Sequence, residues 1–146
     1  LLQHLTLRLM WPRTFPERLQ AWNTLRQQCV SADLESCLTK LDNWWQQTPW
    51  CPYHLHWDDQ ETWPDPWQLL SDDLYCPLAR GLGILYTITL LDRADMASAR
   101  LILTETGHNL VLVDNSKYIL NWEPDSVVNN NLELQIRRQY QQKQIA

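Results

Sequence analysis

At position 76 a cysteine is followed by a proline and then by apolar residues, in Leu74-Tyr75-Cys76-Pro77-Leu78-Ala79-Arg80. Proline has its φ preset for a first helical turn, and the N–H it lacks would be unpaired there anyway. The pattern predicts a helix that starts at Cys76 or Pro77 and runs to about Tyr86, with Cys76 at the N-cap. Whatever else the chain folds into, it has to accommodate a thiol at the tip of an apolar helix. Free backbone amides and the positive end of the helix dipole face a side chain at that position. The longest apolar run, 81–91, is interrupted by threonines. It falls well short of the ~20 residues that a membrane span needs.

The segments around this helix differ in kind. Pro16 suits a first helical position, and Leu19, Trp22, Leu25, Gln28 and Cys29 then recur near helical spacing. Ser31 or Asp33 can cap a second helix that carries Leu34, Cys37, Leu38, Leu41, Trp44 and Trp45. The two are expected to form a helical hairpin turning at 30–32. Residues 48–67 hold Pro49, Pro52, Pro64 and Pro66 among tryptophans. Prolines remove donors and restrict the residues before them, so a packed loop with at most a short strand at 54–57 is expected. Residues 100–104, 108–113 and 117–121 read as strands. In the tail, Leu132, Leu134 and Ile136 alternate as in a strand, while 139–144 would suit an exposed helix end. Residues 1–9 read as a strand or helix piece, too short in their apolar core for a signal peptide.

A chain of 146 residues is enough for one domain with its own core. We read 1–146 as a single α+β domain: a helical front over 1–47, a Trp/Pro-rich loop over 48–66, a helix-and-sheet unit over 67–128 and a tail over 129–146. A hydrophobic content of 45% against 20% charged residues marks it as globular. A net charge of −5 argues against a general nucleic-acid surface and against binding to an anionic membrane. The four cysteines, Cys29, Cys37, Cys51 and Cys76, permit two disulfides in three connectivities. Their density is low for a disulfide scaffold, so reduced thiols and a cytoplasmic location are expected. Nine tryptophans are either core or contact surface.

Asp114-Asn115 lies between two apolar runs and is suitable turn chemistry. With a two-residue loop there, Val113 pairs with Ser116, Val111 with Tyr118, and His108 with Asn121. Directly opposed residues on one face stand ~5 Å apart at Cβ. An Asn carbonyl beside a histidine can accept its ring N–H and fix the tautomer, leaving the other ring nitrogen for a thiol. Cys76, His108 and Asn121 are therefore the candidate nucleophile, base and orienter.

Here a resemblance enters. Trp67-Gln68-Leu69-Leu70 through Cys76-Pro77-Leu78-Ala79, with Leu82 and Leu85, resembles the nucleophile helix of transglutaminase-like cysteine proteinases. Gly107-His108-Asn109-Leu110-Val111-Leu112-Val113 resembles their Gly-His-apolar strand. Tyr118-Ile119-Leu120-Asn121 resembles the strand that follows. Asn121 stands where the family commonly has Asp, and Pro77 replaces the acidic residue often found after the cysteine. The resemblance covers about 63–128. It implies a papain-like core, N-terminal helices plus a nucleophile helix packed on a small antiparallel sheet. It also implies a peptidase or amidase in which Cys76 attacks an amide carbonyl, His108 moves the proton and Asn121 holds His108. No cofactor is implied. The partner would be a protein or peptide substrate. The alternative it allows is a non-catalytic protein-binding or virion or tail assembly subunit on the same fold, its contacts made through the Trp-rich front.

Two competing signals are weaker. Cys51, His54, His56, Asp58 and Asp59 lie close together but lack the second ligand pair of a structural zinc site, so no metal is assigned. Gly81-Leu82-Gly83 lacks the third glycine and the preceding strand of a nucleotide fingerprint.

Overall fold

A computed structural model describes residues 11–123, 126–129 and 132–142. The expected piece at 1–9 lies outside them. The first helix, α1 (Phe15–Val30), starts where Thr14 accepts the Glu17 N–H and Pro16 occupies the first turn. After a turn at 31–33, Asp33 accepts the Ser36 N–H and caps α2 (Leu34–Gln46). A 3-10 segment, Trp57–Thr62, and a short helix, α3 (Pro66–Leu70), follow. Helix α4 (Pro77–Leu91) has Cys76 as its N-cap. It continues past Tyr86 to a left-handed Asp92. Strands β1 (Arg100–Thr104), β2 (Asn109–Val113), β3 (Tyr118–Glu123), β4 (Ser126–Val128) and β5 (Ile136–Gln141) follow among the described residues.

The chain is α+β. Its strands form a five-stranded sheet in the order β4-β3-β2-β1-β5, antiparallel at every pairing. The central strands carry buried apolar residues on both faces, whereas β5 is largely exposed. Leu101, Val111, Val113 and Leu120 belong to the main core with α1, α2 and α4, while Ile102, Leu110, Leu112 and Ile119 form a second apolar cluster with Leu134.

Two glycines set how closely α4 packs. A Cβ on Gly83 would stand 2.5 Å from the Trp45 ring, and one on Gly81 would stand 2.7 Å from Leu101 Cδ1. The pair therefore serves close approach to α2 and β1. Four residues beyond Gly83, Thr87 Oγ1 accepts the indole N–H groups of Trp22 and Trp45 at 2.9 and 3.0 Å and donates to the Gly83 carbonyl at 2.7 Å. Two large aromatic side chains are thus buried with their polar atoms satisfied. Trp11, Trp44 and Tyr75 extend the cluster by edge-to-face contacts. Most of the helical front's tryptophans are core; Trp50, Trp67 and Trp122 remain exposed.

Three expectations need correction. Residues 54–57 form no strand, because the Trp57–Thr62 segment turns there instead. In the tail, 132–135 have no regular structure, and the strand falls at β5, paired along β1, where an exposed helix end was expected. The β2–β3 register is also displaced by two residues: Val113 pairs with Tyr118 and Val111 with Leu120. The loop spans 114–117, with Asp114, Asn115 and Ser116 all left-handed (φ 55°, 52° and 69°) and Lys117 N–H bonded to the Asp114 carbonyl. Asp114 and Asn115 are residue types that tolerate this region, and with Ser116 held there as well the turn runs past the point a two-residue loop would occupy.

Candidate functional site

Cys76 has an extended backbone (φ −82°, ψ 171°) and is 2% exposed. Its side chain caps none of the helix amides. The sulfur instead accepts the Leu55 N–H at 3.4 Å. A parallel bridge between Trp50 and Tyr75 brings that donor into place: Tyr75 N–H bonds the Pro49 carbonyl at 2.7 Å and Cys51 N–H bonds the Tyr75 carbonyl at 3.1 Å. The loop at 52–56 is thereby laid across the tip of α4.

Arg80, one turn into α4, fixes the same corner from below. Its guanidinium donates to the Thr48 hydroxyl at 2.9 Å, the Thr48 carbonyl at 2.7 Å and the Gln46 side-chain oxygen at 3.3 Å. Burial lowers its pKa from the ordinary arginine value, opposed by nearby acidic groups, the Asp42 carboxyl among them.

Asn121 lies beside the first turn of α4. Its φ of 65° interrupts the alternation of β3, so that Leu120 and Asn121 both turn to the helix side. Its Nδ2 donates to the Pro77 carbonyl at 2.8 Å and to the Asn109 carbonyl at 2.7 Å, and its Oδ1 accepts from Gln46 at 2.7 Å. Its backbone N–H bonds the buried Asp42 carboxylate at 2.8 Å. The side chain clasps α4, β2 and α2 together.

His108 does not join Cys76 and Asn121. Asn109, Val111 and Val113 face the helix side of β2, so His108 falls with Leu110 and Leu112 on the opposite side. Its exposed ring packs against Trp122, centroids 4.6 Å apart, and its Nδ1 bonds the Thr106 hydroxyl at 2.9 Å. Its backbone N–H bonds the Thr104 hydroxyl at 3.0 Å. The His108–Asn121 pairing expected from the hairpin is not formed. The shifted register and the left-handed turn of Asn121 place the amide on the helix side, while Trp122 meets the imidazole.

Cys76 lines a cleft of about 350 Å³ between the 52–58 loop, the tip of α4 and the ends of β1 and β2. Leu78 and Leu103 supply apolar wall, and Tyr53, His56, Asn109 and Arg137 supply polar groups. Asn109 Oδ1 accepts the Trp57 indole N–H at 2.6 Å. His56 bonds the Tyr53 hydroxyl through Nδ1 and stacks edge-on against that ring at 4.4 Å. An ion pair between Asp58 and Arg138 ties the 3-10 segment to β5. Sequence reasoning placed neither His56 nor Asn109 beside Cys76. The contact that delivers His56 is a single long-range bridge, which leaves no periodic trace. Asn109 is a polar residue at the head of an apolar strand, a signal that was present but outweighed by its histidine neighbour.

Among the described residues, no three His, Cys, Asp or Glu side chains are grouped to hold a metal ion, and no helix is long and apolar enough to cross a membrane. Comparison of the chain with protein-family models, with curated proteins and with solved structures gives no match.

Proposed function

We propose that this chain is a protein-binding or assembly subunit built on a transglutaminase-like layout, whose cleft beside Cys76 receives a peptide segment of a partner and holds it uncleaved. The observation that carries this reading is the direction of His108, against Trp122 on the side of β2 away from the helix. A thiol nucleophile needs its base within hydrogen-bond reach. From β2, the side chain that looks toward Cys76 is Asn109, and its oxygen is taken by Trp57. The cleft itself suits binding, since apolar walls with a few polar groups are what small recognition sites are made of.

A second reading rests on His56, which lines the same cleft as Cys76. Here Cys76 attacks an amide carbonyl while His56 takes the thiol proton. The proton passes to the leaving amine, a thioacyl intermediate forms, and water releases the acid. In the assignment expected from the sequence, His108 takes that role and Asn121 orients it.

One experiment separates the three. Alkylation of Cys76 by iodoacetamide, followed by mass spectrometry across pH 6–9, is compared among wild type, His56→Ala and His108→Ala. Slow labelling, unchanged by either substitution, together with no acyl adduct from an activated ester, supports the binding reading. A tenfold or greater loss in His56→Ala with an acyl adduct at Cys76 moves the conclusion to the second reading. The same loss in His108→Ala restores the triad.

A further inference from the structure

Away from the Cys76 cleft, three aromatic side chains from distant parts of the chain meet at one recess. Trp63 follows the 3-10 segment, Tyr86 belongs to α4, and Tyr140 of β5 packs against the main core. With Gln60, Pro64 and Asp65 they line a recess of about 180 Å³. The Trp63 and Tyr140 rings have centroids 5.1 Å apart and stand at 62° to each other, so they make adjoining walls of a corner instead of a stack. The Trp63 indole N–H donates to the His56 carbonyl at 2.8 Å, and the Tyr86 hydroxyl donates to the Pro64 carbonyl at 2.6 Å. These bonds hold two of the rings in place and spend their polar hydrogens on backbone carbonyls. Asp65 supplies charge. It caps α3, accepting the Gln68 N–H at 2.8 Å through one carboxylate oxygen. It is exposed, and neither ion pair among the described residues involves it.

We infer that this recess binds a trimethylammonium group, carried by a free choline-type molecule or by a trimethylated lysine of a partner protein. Aromatic rings attract a cation through the negative faces of their quadrupoles, and the attraction grows as the cation sheds water. A primary ammonium brings three N–H donors that each need an acceptor. Among the wall residues, Gln60 and Asp65 offer side-chain acceptors, and both are exposed. The half-buried and buried walls are rings and proline. A trimethylammonium group has no donor to satisfy. Its methyls meet the rings and Pro64, and its charge meets the Asp65 carboxylate. Occupation of this recess does not require anything to be bound beside Cys76.

The test titrates the unaltered chain with choline and, separately, with its neutral carbon analogue, in which a tert-butyl group replaces the trimethylammonium. The assigned Trp63 indole signal is followed in proton–nitrogen spectra. Two further arms use a short peptide carrying a trimethylated lysine and the same peptide unmethylated. A saturable shift is expected with choline or with the trimethylated peptide, and binding of the neutral analogue should be weaker by about tenfold or more. Tighter binding of choline assigns the recess to a free small molecule; tighter binding of the peptide assigns it to a partner's side chain. Asp65→Asn keeps a good helix cap and removes the charge, and should weaken binding by about threefold or more. Tyr140→Leu keeps an apolar side chain on β5 and removes one ring, and should weaken it by about tenfold. The comparison of choline with its neutral analogue is made on the unaltered chain, so it does not depend on any variant folding. No saturable shift with either trimethylated probe, equal binding of the neutral analogue, equal binding of the unmethylated peptide, or binding that neither substitution weakens would each overturn the inference.

Discussion

Helix α4 has two polar centres, and they are built on opposite terms. Around Thr87, in its middle, one hydroxyl serves two indoles and a carbonyl, and Trp22, Trp45 and Thr87 are all buried. Around Cys76, at its tip, the sulfur has one long contact and a cleft beside it. The middle spends its polar groups on fixing a core. The tip leaves polar groups facing open space. Stability should therefore be lost most steeply at the first centre, and binding or chemistry at the second.

The sharpest way to break this contrast is Thr87→Val. The shape is nearly preserved, but two buried indole N–H groups lose their acceptor. At about 1–3 kcal/mol for each unsatisfied group, the loss should come to about 2–6 kcal/mol. Denaturant unfolding followed by tryptophan fluorescence would measure it. A loss below about 1 kcal/mol would mean that the indoles find other acceptors. Gly83→Ala comes next, because its added methyl meets the fully buried Trp45 ring and a packed core resists such insertion by about 1–3 kcal/mol. At the tip, Asn121→Ala removes the clasp among α4, β2 and α2 and leaves a non-glycine residue at positive φ. We expect a loss of about 1–3 kcal/mol. Asn121→Gly should recover the backbone share of that loss and none of the clasp, and comparing the two by thermal unfolding separates them.

The difference between the centres also governs what the sequence could disclose. The helix starts are written in local chemistry: Thr14 with Pro16, Asp33, and Cys76 with Pro77 each define a first turn without reference to the rest of the molecule. The α+β class and strands β1 to β3 follow from such local signals. The face on which His108 lies does not. Strand β2 reads Asn-Leu-Val-Leu-Val and is buried on both faces, so it has no polar alternation to say which side meets the helix. The register was equally exposed to error, since Ser116 adopts a left-handed conformation that its residue type does not advertise. Asn121 was singled out for the right neighbourhood but with a different partner. A residue type that tolerates positive φ also suits a bulge, and the bulge turned it to Pro77. The Trp50–Tyr75 bridge, which brings Leu55 to the sulfur and His56 to the cleft beside it, is a long-range contact between two irregular segments.

The smallest expected effect lies at the joint between the two centres. Arg18 is buried and donates to the backbone carbonyls of Pro12, Leu70 and Asp72, at 2.7–2.9 Å, holding the approach to α4 against α1. The Asp72 carboxyl beside it sits above the usual carboxylate range, chiefly because burial disfavours its charge; nearby Asp73 adds to this, and His54 and Arg18 oppose it. The sign follows from linkage. A carboxyl whose folded pKa is raised binds more protons folded than unfolded between the two values, so stability falls as pH rises through that window. Below the window the carboxyl is protonated in both states and the penalty is absent; above it the penalty is full and constant. Asp72→Asn keeps the shape and removes the charge. It should stabilise the protein modestly at neutral pH, with the advantage fading as pH drops below the ordinary carboxylate range. Thermal unfolding of both proteins at pH 7 and at pH 3.5 checks this. A gain of the same size at both pH values would trace the effect to the amide's hydrogen bonding. A loss at neutral pH would show that the charge of Asp72 is needed by Arg18, which would make this joint a paired site like the middle of α4 rather than a cleft-lining one like its tip.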